Sequence, residues 1–153
     1  MIALMIHSVK ISILICAFMT AASLSLRAGT SAQEKAFIDK YKTAFEGKDT
    51  ATLESFLDTQ DADSAILGFY KMMQSAEAGE KISKIDLVNL TPEDAKKAAA
   101  PQDSPTGGKV CLTLKPVTKI EKKDANGSST STSENFIGQK DGKFVIPVPG
   151  PCK

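Results

Sequence analysis

Two dipeptides near the C-terminus, Asn126-Gly127 and Asp141-Gly142, constrain the fold more than any other feature of the sequence. Each is typical of a two-residue β-hairpin turn, since Asn, Asp and Gly tolerate the positive φ angles that such turns require. If both turns are tight, residue 125 faces 128 and residue 140 faces 143. This register places one apolar set on the same face of a three-stranded antiparallel meander: Leu112, Leu114, Ile137, Phe144, Ile146 and Val148.

The first strand of this meander is predicted at Lys109–Lys123. The Ser/Thr-rich run at 127–133 leaves an alternative open, because a flexible loop there would loosen the first register. An apolar patch is expected on the opposite face of the sheet, where Val117, Phe136 and Pro147 align across the three strands. Such a patch is either a candidate interface or a set of isolated surface residues.

The chain before the meander has helical periodicity. Phe37, Tyr41 and Phe45 recur every four residues and predict a first helix that stops at Gly47. Asp49 is predicted to cap a short second helix. A third helix, capped by Asp61, Asp63 or Ser64, carries a further apolar stripe: Ile66, Phe69, Tyr70 and Met73.

The periodicity changes after Gly79, where Lys81–Leu90 is rich in β-branched and aliphatic residues and predicts a strand. Thr91 and Pro92 then fit the cap and the first position of a short helix that reaches about Ala100. Residues 101–108 are predicted to be a loop. The fold class is therefore α+β, with N-terminal helices packed on a curved, cone-like antiparallel sheet.

The N-terminus has the three parts of a secretory signal peptide. Lys10 precedes an apolar stretch from Ile11 to Leu26, and small residues follow up to Ala32. We predict a signal peptide at 1–32 with cleavage after Ala32, Ala28 being the alternative, and a single domain at 33–153. The product would be secreted or periplasmic, with no membrane association after cleavage. A retained membrane anchor is the competing interpretation, but the stretch is shorter than the ~20 residues that span a bilayer.

Composition restricts the chemistry of the predicted domain. The only histidine is His7 and the only arginine is Arg27, so both leave with the signal peptide. The domain then lacks an imidazole base and a guanidinium group, which excludes Ser-His-Asp, Cys-His and His-ligated zinc sites. The near balance of basic and acidic residues argues against nucleic-acid binding. No residue pattern predicts a metal site or a cofactor.

Three segments resemble the nuclear transport factor 2-like superfamily of α+β cones, and its small exported lumazine-binding-like members in particular. These segments are Phe37–Leu57, Gly107–Pro116 and Ile137–Val148. The first is similar to an opening pair of helices, and the last to a closing hairpin in which an aromatic residue follows Asp-Gly-Lys. The resemblance implies helices over the concave face of the sheet and often a homodimer through its outer face, but no single activity.

Two further sets of residues, a pair of cysteines and a group of three polar residues, are candidate sites. Cys111 and Cys152 could form a disulfide in an oxidising compartment, yet the regular meander places them well over 30 Å apart, beyond the reach of a bridge. Either the meander is irregular or the thiols do not pair. Tyr41, Tyr70 and Asp86 are a candidate pocket in the cone, although strand alternation opposes an inward Asp86.

The sequence favours an exported, non-enzymatic binding or accessory domain whose partner is a protein, a second copy or a small apolar ligand. The first alternative is an isomerase- or dehydratase-type enzyme that uses Asp86 with a tyrosine in the cone. The second is a structural factor of the cell envelope that has no pocket. An Asp86 carboxylate in bulk solvent would remove the first alternative, and a filled cone would favour the second.

Overall fold

The computed structural model describes residues 31–126 and 129–153, which form an α+β domain as predicted. The helices in these residues are α1 (Ser31–Glu46), α2 (Thr50–Glu54), α3 (Ser64–Glu77) and α4 (Pro92–Ala99). The strands are β1 (Leu57–Asp58), β2 (Ile82–Val88), β3 (Gln102–Asp103), β4 (Lys109–Leu112), β5 (Pro116–Asn126), β6 (Ser129–Lys140), β7 (Lys143–Pro147) and β8 (Pro149–Pro151). The predicted signal peptide lies almost wholly outside the described residues and stays a prediction.

The strands form two sheets, one of five strands in the order β1-β7-β6-β5-β2 and one of three in the order β3-β4-β8. The larger sheet is mixed, because the short β1 pairs with β7 in parallel while the other pairs are antiparallel. The first two helices and α3 lie against one face of this sheet, which we call the inner face. The core between them is aromatic and aliphatic, with Phe37, Phe45, Leu53, Ile120 and Ile137 among its buried members.

Local signals set the N-terminal helices. The predicted stripe of α1 is buried, and the rings of Phe37 and Tyr41 both pack against Phe56. Asp49 caps α2 by accepting a hydrogen bond from the main-chain N–H of Thr52 (3.0 Å). Helix α1 ends at Glu46, directly before Gly47 as predicted, but the residue with a positive φ, of 57°, is Lys48 and not Gly47.

The second predicted hairpin is confirmed. Asp141 and Gly142 both have positive φ, and Lys140 pairs with Lys143 as expected. The first hairpin turns one residue later than predicted, because Asn126 pairs with Ser129. This moves the β6 partners of residues 118–126 by two positions and so keeps those residues on their predicted faces, whereas Pro116, beyond a bulge, is shifted by one. Four of the six residues predicted on the inner face are buried there: Ile137, Phe144, Ile146 and Val148.

The predicted single strand at Lys109–Lys123 is wrong. The chain bends after Leu112, and β4 leaves the main sheet to pair with β8, while β5 restarts at Pro116. Leu112 and Leu114 therefore do not join the inner core, and Leu114 instead packs over Gly138 on the other face. The break also brings the two cysteines together, because Cys111 is paired with Gly150. Cys111 and Cys152 form a disulfide, with their Cα atoms 5.0 Å apart.

Helix α4 lies on the outer face of the main sheet. Thr91 caps it in a reciprocal capping box with Asp94. The ammonium of Lys119, which projects from the outer face of β5, lies 3.3 Å from a carboxylate oxygen of Asp94 and 3.3 Å from one of Glu134. These ion pairs connect α4 to the strands beneath it.

The apolar patch predicted on the outer face is not present as such. Pro147 is fully buried, and Val117 lies at a bulge between the pairs made by Pro116 and Thr118, so it does not face Phe136. Phe136 pairs with Lys119 instead and is half-buried. The irregular β5 therefore separates the three residues that a regular strand would align.

Candidate functional site

A cleft of about 280 Å³ separates the C-terminal half of α3 from the inner face of β6. Its apolar lining consists of Tyr41, Phe69, Tyr70, Met73 and Ile146. Its polar lining consists of Gln74, Glu77, Ser133, Glu134 and Asn135. The side chain of Glu134 is directed to Lys119 on the outer face, so Glu134 lines the cleft with its main chain. An apolar surface with a few convergent polar groups is the usual composition of a small-molecule site.

The cleft exists because the core does not extend along the whole of α3. Near the start of the helix, Ile66 and Leu67 pack on the core cluster. Two to three turns later, the inward positions are occupied by Gln74 and Glu77, and the facing strand presents Ser133 and Asn135. Polar residues on both sides cannot interlock as an apolar core does, so the helix and the sheet stay apart here.

Two side-chain oxygens in this cleft are buried without a hydrogen bond within the described residues. They are Oε1 of Gln74 and Oγ of Ser133. An unsatisfied buried polar atom costs about 1–3 kcal/mol. Native proteins usually satisfy such atoms with protein, water or ligand partners. Both oxygens belong to residues that line the cleft but have almost no solvent-accessible surface, so a ligand reaches them only after a rotation of the Gln74 or Ser133 side chain.

A buried lysine borders the same cleft. Lys122 is 2% exposed, and its ammonium lies 3.1 Å from Oε2 of Glu77 and 3.5 Å from the ring centroid of Phe45. Lys122 pairs with Ser133 across the strands, which places it directly beside the unsatisfied hydroxyl. A desolvated ammonium is tolerated only with a counterion and further favourable contacts. Glu77 therefore both neutralises Lys122 and ties α3 to the sheet.

The two tyrosines of the predicted pocket both line the cleft. Tyr41 is buried within the aromatic cluster of α1, where its ring stacks on that of Phe45 at 6.1 Å between centroids. Burial raises the pKa of the Tyr70 hydroxyl above its ordinary value. Tyr70 is therefore a neutral hydrogen-bond donor at physiological pH.

Asp86, the third predicted pocket residue, is not in the cleft. It pairs with Glu121 in the sheet and lies on the outer face, with its side chain 48% exposed. Its carboxylate lies 2.9 Å from the ammonium of Lys84. Strand alternation explains this position, because Ile85 and Leu87 on either side pack against the core. Asp86 therefore does not supply a carboxylate to this cleft.

The polar cleft residues Gln74, Ser133 and Asn135 were not identified from the sequence. Gln74 is a single polar residue within the helical stripe, and Ser133 belongs to a run that reads as a loop. A signal was present at α3, since Gln74 follows Tyr70 by four residues and so shares its face. The strand residues that face Gln74, however, depend on the β5–β6 register.

A second groove, of about 310 Å³, lies between α4 and the bend that precedes β5. Leu112 and Leu114, the two leucines that were predicted on the inner face, line this groove together with Leu90 and Ala98. Neither of the unsatisfied oxygens lies there. Its lining gives a ligand apolar contact but little to fix its orientation.

In the described ranges 31–126 and 129–153, no group of three or more His, Cys, Asp or Glu side chains is placed to hold a metal ion. The same ranges contain no helix long and apolar enough to cross a membrane. Comparisons with protein-family models, with curated proteins and with solved structures find no match to this chain.

Proposed function

We propose that this chain is an exported, non-enzymatic binding domain that takes a small amphipathic ligand in the cleft between α3 and β6. The observation that carries the proposal is the pair of buried oxygens without hydrogen bonds, Gln74 Oε1 and Ser133 Oγ, on opposite walls of one cleft. A ligand that hydrogen-bonds to them removes the cost of burying these oxygens unsatisfied. The aromatic and thioether lining supplies apolar contact around them.

The lining defines the chemistry of this ligand. Gln74 Oε1 only accepts hydrogen bonds, so the ligand carries an N–H or O–H donor. Phe69, Tyr70 and Met73 favour a flat apolar body beside that donor. The volume of 280 Å³ holds about nine groups the size of a water molecule. A bicyclic heteroaromatic ring with one N–H group has this size and this polarity.

Three features support the wider proposal of export and of a nuclear transport factor 2-like relationship. The sequence of residues 1–32 has the composition of a secretory leader. The disulfide between Cys111 and Cys152 is the kind of bond that persists in oxidising compartments. The order of helices followed by an antiparallel hairpin is the order on which the resemblance rests.

The pocketless structural factor is less well supported, because the cleft is not filled by side chains. An enzyme is also less well supported. Two acidic residues line the cleft, and both are engaged in ion pairs, Glu77 with Lys122 and Glu134 with Lys119.

The test is a titration with two probes of the same shape, indole and indene, followed by amide chemical shifts of the ¹⁵N-labelled protein. Indole has an N–H donor and indene does not. We expect indole to shift the amides of Gln74, Ser133 and Asn135, and to bind at least about fivefold more tightly than indene. Equal affinities, or shifts confined to the groove beneath α4, would refute the proposal.

A matched pair of variants isolates the contribution of the acceptor. Gln74→Met keeps the length of the side chain and removes the unsatisfied oxygen, whereas Gln102→Met makes the same change at an exposed position in β3. We expect Q74M to remove the preference for indole over indene, and Q102M to leave it unchanged. A preference that persists in Q74M would show that the donor meets a different group.

A further inference from the structure

The outward face of α3 carries no charged residue. Its exposed positions are Ser64, Gly68, Phe69, Met72, Met73, Ser75 and Ala76. Phe69 is 52% and Met72 58% exposed. The face of a helix that meets only water is normally polar and charged, and a continuous apolar surface of this kind indicates an interaction site. We call this surface the α3 face.

The two charged side chains of α3 turn toward the domain instead. The ammonium of Lys71 lies 2.7 Å from Oε2 of Glu54 on α2. Glu77 lies 3.1 Å from the ammonium of Lys122 in the sheet. Both charges are engaged in ion pairs within the domain, although their side chains stay 42% and 39% exposed at the edges of the α3 face.

Gly68, in the first half of α3, adds an independent observation. Glycine inside a helix costs about 1 kcal/mol relative to alanine. A Cβ atom built at Gly68 meets no atom within 4 Å, and its φ is not positive, so nothing within the domain requires glycine there. What a glycine permits on an exposed helix face is the close approach of another backbone.

We propose that the α3 face packs against the α3 face of a second copy of this chain. A face without charge can meet itself about a two-fold axis without like-charge repulsion, and it offers no charge that would select a partner of opposite sign. An antiparallel arrangement also opposes the two helix dipoles favourably. With the axis near Met72, Gly68 of one copy lies opposite Ala76 of the other.

The size of the face sets the strength of this association. A 14-residue helix is about 21 Å long. Contact along one such face buries less than the roughly 800 Å² per partner of a standard stable interface. We therefore expect a reversible dimer with a Kd on the order of 10–100 μM.

The proposed dimer adjoins the ligand site without depending on it. Phe69 and Met73 belong both to the α3 face and to the lining of the cleft, so a second copy covers the mouth of the cleft. Binding in the cleft and association are then thermodynamically linked, and each changes the other by the same factor. Gly68 and Met72 do not line the cleft, which lets variants separate the two proposals.

The test is sedimentation velocity from about 5 μM to 1 mM for the protein and three variants. Gly68→Ala adds one methyl group to the α3 face. We expect it to weaken dimerisation at least about tenfold while it raises the Tm of the dilute, monomeric protein by about 3 °C. A misfolded variant could not show that combination. Met72→Glu introduces like charges across the two-fold axis and should abolish the dimer, whereas Gln102→Glu adds the same charge on β3 and should leave it intact.

Three results would overturn the inference. The first is a wild-type protein that stays monomeric at 1 mM, including one that instead associates only with detergent micelles or with another protein. The second is a dimer that both G68A and M72E leave unchanged. The third is a G68A variant that dimerises more tightly. Indole binding measured at 0.5 μM, well below the expected Kd and where the chain is therefore almost wholly monomeric, should be unaffected by G68A, so loss of the dimer and loss of the ligand site are distinguishable.

Discussion

The ion pair between Lys122 and Glu77 makes an asymmetric prediction about stability. Lys122 is 2% exposed, whereas the Glu77 side chain is 39% exposed. Glu77→Met leaves a buried ammonium without this carboxylate, and loss of one partner of a buried pair costs about 3–5 kcal/mol. The ring of Phe45 beneath the ammonium, and water entering where Glu77 was half exposed, reduce this cost. We expect E77M to lower the free energy of unfolding by about 2 kcal/mol.

The reverse substitution should be much milder. Lys122→Met removes the desolvated charge, keeps a flexible side chain against Phe45, and leaves a carboxylate that water can reach. We expect K122M to change stability by less than about 1 kcal/mol in either direction. The double variant should recover most of the loss seen in E77M, which gives a coupling energy of about 1–2 kcal/mol.

The assay is equilibrium unfolding in urea at pH 7, with linear extrapolation and a constant m-value across the variants. The control is the exposed pair of Lys71 and Glu54, whose side chains are 42% and 38% exposed. Methionine at either control position should cost less than about 1 kcal/mol. If K122M proves as destabilising as E77M, or if the two effects simply add, the reasoning from the burial of Lys122 is refuted.

Three further predictions concern other parts of the domain. Replacing Cys111 and Cys152 by serine opens a loop with a sequence separation of 41 residues and should cost about 4 kcal/mol by the chain-entropy argument, measured as the shift in urea midpoint. Gly150→Ala would drive its Cβ into the main-chain carbonyl of Asp61 in the loop before α3, so we expect a loss of about 3 kcal/mol; unchanged stability would contradict this packing. The main-chain N–H of Thr91, the α4 cap residue, lowers the pKa of Asp94, so the contribution of the Asp94 carboxylate to stability is present above about pH 4 and is lost as the pH falls through the lowered pKa. In thermal unfolding between pH 7 and 2, the Tm of D94N should therefore fall less than that of the wild type.

Elements with local signals could be predicted from the sequence. The spacing of Phe37, Tyr41 and Phe45 fixes the buried face of α1, and Thr91 followed by Pro92 fixes the start of α4. Asp141-Gly142 fixes the second hairpin because the turn and the alternation of its strands agree. In each case the decisive interactions lie within a few residues along the chain.

Elements that depend on distant contacts could not be predicted in this way. The break before Pro116 follows from the pairing of β4 with β8. The one local signal for it is the proline itself, because proline within a sheet is favoured at the first residue of a strand. The burial of Lys122 is equally hidden, because lysine is almost never buried unless it is paired, and the pairing carboxylate of Glu77 is 45 residues away. The cleft depends on α3, β6 and their register together.

The central claim is that Gln74 Oε1 and Ser133 Oγ bind a ligand that carries a hydrogen-bond donor. Crystallography with 5-bromoindole tests this claim most directly. The anomalous signal of bromine locates the probe independently of the fit of its ring. We expect bromine in the cleft between α3 and β6, with the indole nitrogen about 2.7–3.2 Å from Oε1 of Gln74 or Oγ of Ser133. A cleft that holds only ordered water on both oxygens, with bromine elsewhere or absent, would contradict the claim.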